Sequence, residues 1–321
     1  MKKSSWIILP LALALAGCGP SRKGEQPETK AAGPVVPDKT AAEKIINEIK
    51  KERSETENWL LSSPTSYLAA IDRVDFNDRK TLTVGKAADN NLQLSGAGIE
   101  PHHLRVTVDG DNFKIECVDA NARFKIKDET KREATVGPSY IQVDRFVVRL
   151  SHQRFPALIV FDPQSPRFKE YKGLVYYPID LSYRYELPLK LFRKPEKTII
   201  MSTRGNRRNA ELVGWVEFLA GNTTCRLEAT RLLEPGAGQN DLSIFFRDAT
   251  SGNETYPLGR YVDLKRLENG NYLLDFNLAY NPACAFSDYY NCPVPPKSNT
   301  LQIPVRAGEK DSHYHAAQES E

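Results

Sequence analysis

The sequence predicts an all-β fold, with two β-sandwich or barrel modules preceded by one amphipathic helix. Three observations support this prediction. Apolar residues recur at helical spacing before Pro64, short alternating segments begin at Thr81, and a second series of such segments begins at Lys197. Gly, Asp, Asn and Pro separate the alternating segments, as expected for strands joined by turns. The 14 tyrosines and 13 phenylalanines, against only 2 methionines, also suit packed strands.

The first 17 residues have the parts of a secretory signal. Lys2 and Lys3 precede an apolar stretch that is too short to span a bilayer, and small residues lead to Cys18. Leu15-Ala16-Gly17-Cys18 resembles a bacterial lipobox, which implies that Cys18 is acylated and becomes the mature N-terminus. An ordinary signal peptide with an incidental cysteine is the alternative. The same resemblance, with Gly19 after the cysteine, implies the outer membrane of the cell envelope, facing the periplasm.

Residues 18–40 are rich in Pro, Gly, Lys and Glu, and they predict a flexible tether between the lipid and the folded part. Residues 41–63 then place Ile45, Ile46 and Ile49 among charged residues, with Leu60 near the end. This spacing predicts one amphipathic helix docked by its apolar stripe. Pro64 ends it. At the other end of the chain, residues 311–321 predict a disordered polar tail.

Charge argues against a nucleic-acid partner. The formal net charge of the whole chain is +3, and removal of Lys2 and Lys3 with the signal leaves it near neutral. Nucleic-acid binding needs clustered basic residues, which the sequence does not show. The expected partners are therefore the membrane, through Cys18, and a small ligand. No cofactor is predicted.

Residues 64–165 predict the first β module, and three short stretches in it invite a comparison. They are Val84-Gly85-Lys86, Asn90 to Leu94, and His102 to Val106. Together they resemble the forkhead-associated sandwich, which reads phosphothreonine. In that family an arginine follows the glycine and a serine lies three residues before the histidine, whereas this chain has Lys86 and Glu100. Because a carboxylate repels phosphate, we expect the sandwich without phosphopeptide binding, and His103 as a structural residue.

Residues 166–310 predict the second β module, which carries a longer series of motifs. The series comprises Phe246 to Gly252, Glu254 to Tyr256, Gly259 to Tyr261, Asp275 to Pro296, Asn299, Leu301, and Arg306 to Lys310. In this order they resemble the lipoprotein-like family of unknown function DUF1684. We expect the resemblance to extend back to Trp59. The resemblance implies where the module begins and ends and which positions carry the family motifs, but it implies no activity.

Strand register predicts which side chains of this module point inward. A three-residue loop at Asn269 to Asn271 would place Lys265 opposite Asp275 and keep Val262 and Phe276 on one apolar face. A two-residue loop would turn every side chain to the other face. Burial of the apolar face favours the first register.

Arg260 shares that inward face, where an unpaired guanidinium would be costly. It needs a carboxylate, carbonyl oxygens or an anionic ligand. Glu309 and the loop carbonyls are the internal candidates. Two interpretations therefore stay open. In the first, Arg260 and its carboxylate or carbonyl partners form a structural knot that holds the loop in place; in the second, Arg260 binds an anion in a pocket.

Cys284 and Cys292 lie in the proline-rich stretch from Asp275 to Pro296. An exported protein meets an oxidising environment, which permits a disulfide between them. Free buried thiols and a metal site are the alternatives. Zinc would require two further ligands, and the chain has no second cysteine pair, so no metal is predicted.

The sequence contains neither a Gly-x-Ser-x-Gly elbow nor a His-Glu-x-x-His pair. We therefore expect a binding or assembly component with a polar cleft near Arg260, suited to a small polar or carbohydrate-like ligand. The candidate ligand-binding residues are Arg260, Tyr280, Asn281, Asn299 and Glu309. A hydrolase that uses Asp248, Asp275 or Glu309 as acid and base is one rival. A purely structural lipoprotein without a pocket is the other.

Overall fold

The computed structural model describes residues 31–238 and 240–312 of the 321-residue chain. The predicted signal peptide at 1–17, the lipidation site Cys18, most of the predicted tether and nearly all of the predicted tail lie outside the described residues. The structure is mostly β, with several antiparallel sheets and one long helix near the N-terminus. The predicted fold class is therefore confirmed, and the described sheets form no closed barrel.

The described residues form two α-helices, nineteen strands and four short 3-10 helices. The α-helices are α1 Lys39–Ser62 and α2 Arg167–Glu170. The strands of the first module are β1 Ala70–Asp75, β2 Thr81–Gly85, β3 Leu92–Gln93, β4 Leu104–Asp109, β5 Asn112–Cys117, β6 Phe124–Ile126, β7 Glu129–Lys131, β8 Glu133–Val136, β9 Ser139–Val143, β10 Phe146–Ser151 and β11 Ala157–Phe161. Those of the second module are β12 Arg184–Leu187, β13 Lys190–Met201, β14 Arg207–Ala220, β15 Thr223–Leu232, β16 Ser243–Phe246, β17 Arg260–Asp263, β18 Lys265–Arg266 and β19 Tyr272–Asp275.

Helix α1 is the predicted amphipathic helix. The Asp38 side chain caps its first turn by accepting a hydrogen bond from the Ala41 backbone N–H at 2.9 Å. Ile49 and Leu60 are its buried residues, and Leu60 packs with Phe286 from the C-terminal part of the chain. The helix is therefore held by its apolar stripe. No helix in the described part of the chain is both long and apolar enough to cross a membrane.

The first module is a sandwich of a six-stranded and a five-stranded sheet. The sheet orders are β1-β11-β10-β9-β6-β7 and β3-β2-β4-β5-β8. Alternate residues of both sheets, such as Val106 and Val148, meet in one core. His103 is almost fully buried, with one ring nitrogen against the Glu100 backbone N–H and the other against the Arg123 carbonyl. The structural role predicted for His103 is confirmed.

The second module packs a three-stranded sheet, β12-β19-β18, against a five-stranded sheet, β13-β14-β15-β16-β17. The predicted pairing of Lys265 with Asp275 is wrong, since Lys265 lies opposite Leu273. The Leu267 N–H donates to the Asn271 carbonyl, so the three-residue loop begins one residue earlier than predicted. Gly270 takes the positive φ of +85° that this turn requires.

A third apolar cluster joins the two modules. Ile159 and Phe161 of β11 pack with Phe245, Tyr261 and Cys292 of the second module. The cluster includes Cys284, Tyr290 and Cys292, so the proline-rich segment lies between the modules. The domain boundaries given above stay predictions.

Candidate functional site

A cavity of about 760 Å³ lies between α1 and the second module. One wall is the face of α1 that carries Ile49 and Arg53, and the other is built from residues 262–281 and Glu309. Tyr67, Tyr176 and Phe286 complete the lining. The volume suits a small organic molecule. This cavity lies beneath α1, whereas the prediction placed a cleft near Arg260 beneath the proline-rich loop.

Arg53 fastens the helix to the other wall. It lies four residues after the buried Ile49 and seven before the buried Leu60, so it shares their stripe. Its two terminal nitrogens donate to the Tyr177 carbonyl at 3.0 Å and the Asn277 carbonyl at 2.9 Å. The guanidinium carbon lies 4.4 Å from the centre of the Tyr176 ring. Burial lowers the pKa of Arg53, and its Nε has no protein partner.

Glu309 is the most perturbed carboxyl group that lines the cavity. Its side chain is 3% exposed, and Oε2 accepts a hydrogen bond from the Asn281 backbone N–H at 2.8 Å. Burial raises the pKa of Glu309 to about 7, although the Asn281 N–H and the charge of Arg260 oppose this shift. The preceding Gly308 has a φ of +79°, and a Cβ there would lie 2.5 Å from the Ala279 carbonyl oxygen. Glycine at 308 therefore sets the position of Glu309.

Two neighbours of Glu309 add hydrogen-bonding groups. Asn281 is 3% exposed, and its Nδ2 donates to the Lys310 carbonyl, while its Oδ1 accepts nothing from the protein. The Tyr176 phenol has a raised pKa because of burial first and the charge of Glu309 second. Tyr280 lines the same cavity and donates from its hydroxyl to Asp263 at 3.3 Å. A buried carboxyl and an unpaired amide oxygen thus belong to two residues that line the same cavity.

Arg260 lies behind the cavity wall. It is 1% exposed, and it pairs with Asp248 at 2.7 Å. It also donates to the backbone carbonyls of Val305, Ala307 and Glu309. This is the predicted structural knot, with Asp248 rather than the Glu309 side chain as the carboxylate. The knot holds the segment that carries Glu309, and Arg260 does not line the cavity.

Asn299 is likewise internal. Its side chain is fully buried, accepts from the Glu228 N–H, and donates to the carbonyls of Glu228 and Phe245. All its polar atoms are therefore engaged in joining β15 to β16. Of the predicted ligand-binding residues, Tyr280, Asn281 and Glu309 line the cavity, whereas Arg260 and Asn299 lie outside it.

The three carboxylates considered for hydrolysis do not converge. Asp248 is bound to Arg260 and to Thr250, away from the cavity. Asp275 lines the cavity, but it is 2% exposed, pairs with Arg184, and accepts from Asn277. Glu309 alone has no cationic partner in direct contact. Among the described residues, no group of three or more His, Cys, Asp or Glu is arranged to hold a metal ion.

The predicted disulfide between Cys284 and Cys292 is wrong, because both residues are free buried thiols. The two side chains are adjacent, and they are linked by a hydrogen bond instead of a covalent bond. The Cys292 thiol lowers the pKa of Cys284 through this hydrogen bond, and the same bond raises the pKa of Cys292. The Cys284 backbone N–H also donates to Cys292 Sγ at 3.3 Å. The pair packs in the cluster between the modules rather than in the cavity wall.

Sequence reasoning missed the residues that α1 and its neighbours contribute, namely Arg53, Trp59, Tyr67 and Tyr176. Arg53 lies in a run of Lys, Arg and Glu that is typical of a solvated helix face. The helical spacing of Ile49, Arg53 and Leu60 is the signal that could have found it. For the three aromatic residues the sequence offers no comparable signal.

The fold and the cavity together define a mostly β protein of two sandwich modules, with a polar cavity closed by an N-terminal helix. Residues 169–310 match the family described as protein of unknown function (DUF1684), and this region of the chain belongs to that family. The match begins at residue 169, so the expected extension back to Trp59 lies outside it. Helix α1 and the first module are therefore additional to the matched region.

Two solved structures are similar to parts of the chain. An uncharacterised protein of Haloarcula marismortui, solved by solution NMR, is 34% identical with a TM-score of 0.37, over 46% of this chain and 83% of that protein. Mycobacterium tuberculosis EmbR in complex with a low-affinity phosphopeptide is 12% identical with a TM-score of 0.21, over 40% of this chain and 32% of EmbR. No curated protein matches the chain.

Proposed function

We propose that this protein is a lipid-anchored component of the bacterial cell envelope that binds a small polar ligand in the cavity beneath α1. One observation carries the binding proposal: Glu309, with its buried carboxyl, and Asn281, whose buried Oδ1 has no hydrogen-bond partner, both belong to the residues that line the cavity. A buried polar atom without a partner costs about 1–3 kcal/mol. A bound ligand that donates hydrogen bonds to these groups removes that cost.

The size and the lining of the cavity also support binding. Its volume of about 760 Å³ lies within the usual range for small-molecule sites. Trp59, Tyr67 and Tyr280 supply ring surface, against which a sugar or another small polar molecule stacks. Arg53 and the Arg260 knot hold the two walls in place before the ligand arrives. Such preorganisation reduces the ordering cost of binding.

A panel of monosaccharides, disaccharides and small polar metabolites, screened by thermal shift, tests this proposal. A ligand of the cavity should raise the melting temperature of the wild type. In Asn281→Ala its affinity should fall about tenfold, equivalent to about 1.4 kcal/mol. Asn121→Ala, at an exposed asparagine of the first module, is the matched control and should bind as the wild type does. Undiminished affinity in Asn281→Ala would place the ligand elsewhere.

The anchoring proposal rests on the sequence from Met1 to Cys18. Metabolic labelling with radioactive palmitate tests it, because only an acylated chain incorporates the label. The wild type should be labelled and should fractionate with the outer membrane, whereas Cys18→Ala should lose both properties. Labelling of Cys18→Ala would contradict the assignment.

Acid–base catalysis in the same cavity is a second candidate, and the Glu309 carboxyl favours it. A carboxyl with a pKa of about 7 exchanges a proton readily near neutral pH. A screen of glycoside, ester and amide substrates tests this candidate. Turnover should disappear in Glu309→Gln and should persist in Glu186→Gln, because Glu186 lies outside the cavity. Turnover that survives in Glu309→Gln would exclude this role.

A further inference from the structure

Two acceptor groups on residues that line the cavity indicate what the ligand must offer. Asn281 Oδ1 has no protein partner and belongs to a side chain that is 3% exposed. Glu309 Oε2 takes one hydrogen bond from the Asn281 backbone N–H. Carboxylate and amide oxygens accept hydrogen bonds and do not donate them. The ligand therefore has to present donors at this point.

The charges around the cavity add a preference for a cation. Its lining includes three basic side chains and six acidic ones, which are Glu48, Glu52, Glu55, Asp263, Asp275 and Glu309. Arg53 donates to two backbone carbonyls and Arg184 pairs with Asp275, so both have protein partners. Exposed lysines pair with Glu48 at 4.0 Å and with Glu55 at 3.7 Å, and such surface pairs are weak. The balance of the lining is therefore negative.

Aromatic rings provide the third observation. Trp59, Tyr67, Tyr176 and Tyr280 all line the cavity. The faces of aromatic rings attract cations, and Arg53 already uses the Tyr176 ring in this way at 4.4 Å. Trp59 and Tyr67 are in edge contact, with ring centres 4.9 Å apart. Acceptor oxygens and aromatic rings on residues of one lining are the elements of an ammonium-binding site.

We propose that the ligand is an organic amine, bound as the ammonium cation. Its nitrogen donates to Glu309 and to Asn281 Oδ1, and its apolar part lies against Trp59, Tyr67 and Tyr280. This inference rests on the proposed binding function and specifies the chemical class of the ligand. A neutral sugar would satisfy the acceptors equally well, but it would gain nothing from the negative lining.

A pair of probes that differ only in the polar group tests the proposal. The probes are 2-phenylethylamine, which is a cation at neutral pH, and 2-phenylethanol, which is neutral. Binding is measured by isothermal titration calorimetry at about pH 8, where Glu309 with its pKa of about 7 is ionised. We expect the amine to bind at least about tenfold more tightly than the alcohol. In Glu309→Gln the affinity for the amine should fall about tenfold, and that for the alcohol should stay the same.

Glu186→Gln is the matched control, because Glu186 is a partly buried glutamate on β12 that does not line the cavity. It should bind both probes as the wild type does. Circular dichroism melts confirm that each variant is folded before binding is measured.

Three results would overturn the inference. These are equal affinities for the two probes, an affinity for the amine that Glu309→Gln leaves unchanged, and no binding of the amine. If the amine does not bind, while a neutral saccharide binds to the wild type and more weakly to Asn281→Ala, the assignment of the ligand as an amine is wrong and the proposed binding function is supported. If neither class binds, both proposals fall.

Discussion

The substitution Glu309→Gln should make the protein more stable at alkaline pH and should leave its stability at acidic pH little changed. Burial raises the pKa of Glu309 from 4.5 to about 7. In the folded state this carboxyl therefore binds its proton more tightly than in the unfolded state. Its favourable contribution is complete below about pH 4.5 and is lost as the pH rises through about 7.

The magnitude follows from the shift. Each unit of pKa difference between folded and unfolded states corresponds to about 1.4 kcal/mol, so ionising Glu309 in the fold costs about 3 kcal/mol. The amide side chain of the Glu309→Gln variant stays neutral throughout and still offers an oxygen to the Asn281 N–H. The variant should therefore gain up to about 3 kcal/mol over the wild type at alkaline pH.

Urea unfolding of both proteins, at pH values from about 5 to about 8.5, measures this difference. The gap in unfolding free energy between variant and wild type should widen from about pH 5 to about pH 7 and should then level off, because above about pH 7 Glu309 is ionised in both the folded and the unfolded state. Glu186→Gln, on β12, controls for the loss of one carboxylate and should show a constant gap. A constant gap for Glu309→Gln as well would refute the assigned burial and pKa of Glu309.

Three further predictions concern the interior. Arg260→Met should lower the unfolding free energy by about 3–5 kcal/mol, because it leaves the buried Asp248 carboxylate without its cationic partner. Adding Asp248→Asn to this variant should restore part of the lost stability, and chemical denaturation measures both changes. Asn299→Ala should destabilise the fold by at least about 1–3 kcal/mol, because it leaves a buried N–H and two carbonyls unpaired, while any ligand of the cavity still binds with wild-type affinity. Alkylation of denatured, unreduced protein followed by mass spectrometry should modify both Cys284 and Cys292, whereas a mass that retains a disulfide between them would contradict the structure.

Local patterns in the sequence were sufficient for the fold class, for helix α1 and for the inward direction of Arg260. Strands β1 and β12 precede the predicted starts of the two strand series at Thr81 and Lys197. The predicted register was displaced by two residues, as the pairing of Lys265 with Leu273 shows. Because side chains alternate with a period of two, this displacement leaves Val262 and Phe276 on the inward face. The knot around Arg260 was therefore foreseeable although the register was not.

The residues that line the cavity could not be predicted from local sequence patterns. Tyr176 lies in a connecting segment and Arg53 lies on a helix far away in the sequence, and only tertiary packing brings them together. Asn299 illustrates the opposite error. A polar residue beside a proline-rich loop suggests a ligand contact, whereas its three hydrogen bonds join neighbouring strands. Sequence patterns report the face on which a side chain lies, and they do not report which distant segment faces it.

The position of α1 has a consequence for how the chain matures. Helix α1 is synthesised before the strands of both modules, yet its Arg53 donates a hydrogen bond to the Asn277 carbonyl, near the other end of the chain. During synthesis the apolar stripe around Ile49 therefore emerges long before the surface that covers it. Contacts across such a sequence separation form late, because a long loop must close first. The cavity is thus completed only after the segment that carries Glu309 has been synthesised. Until then the exposed apolar stripe of α1 is a target for chaperones and proteases.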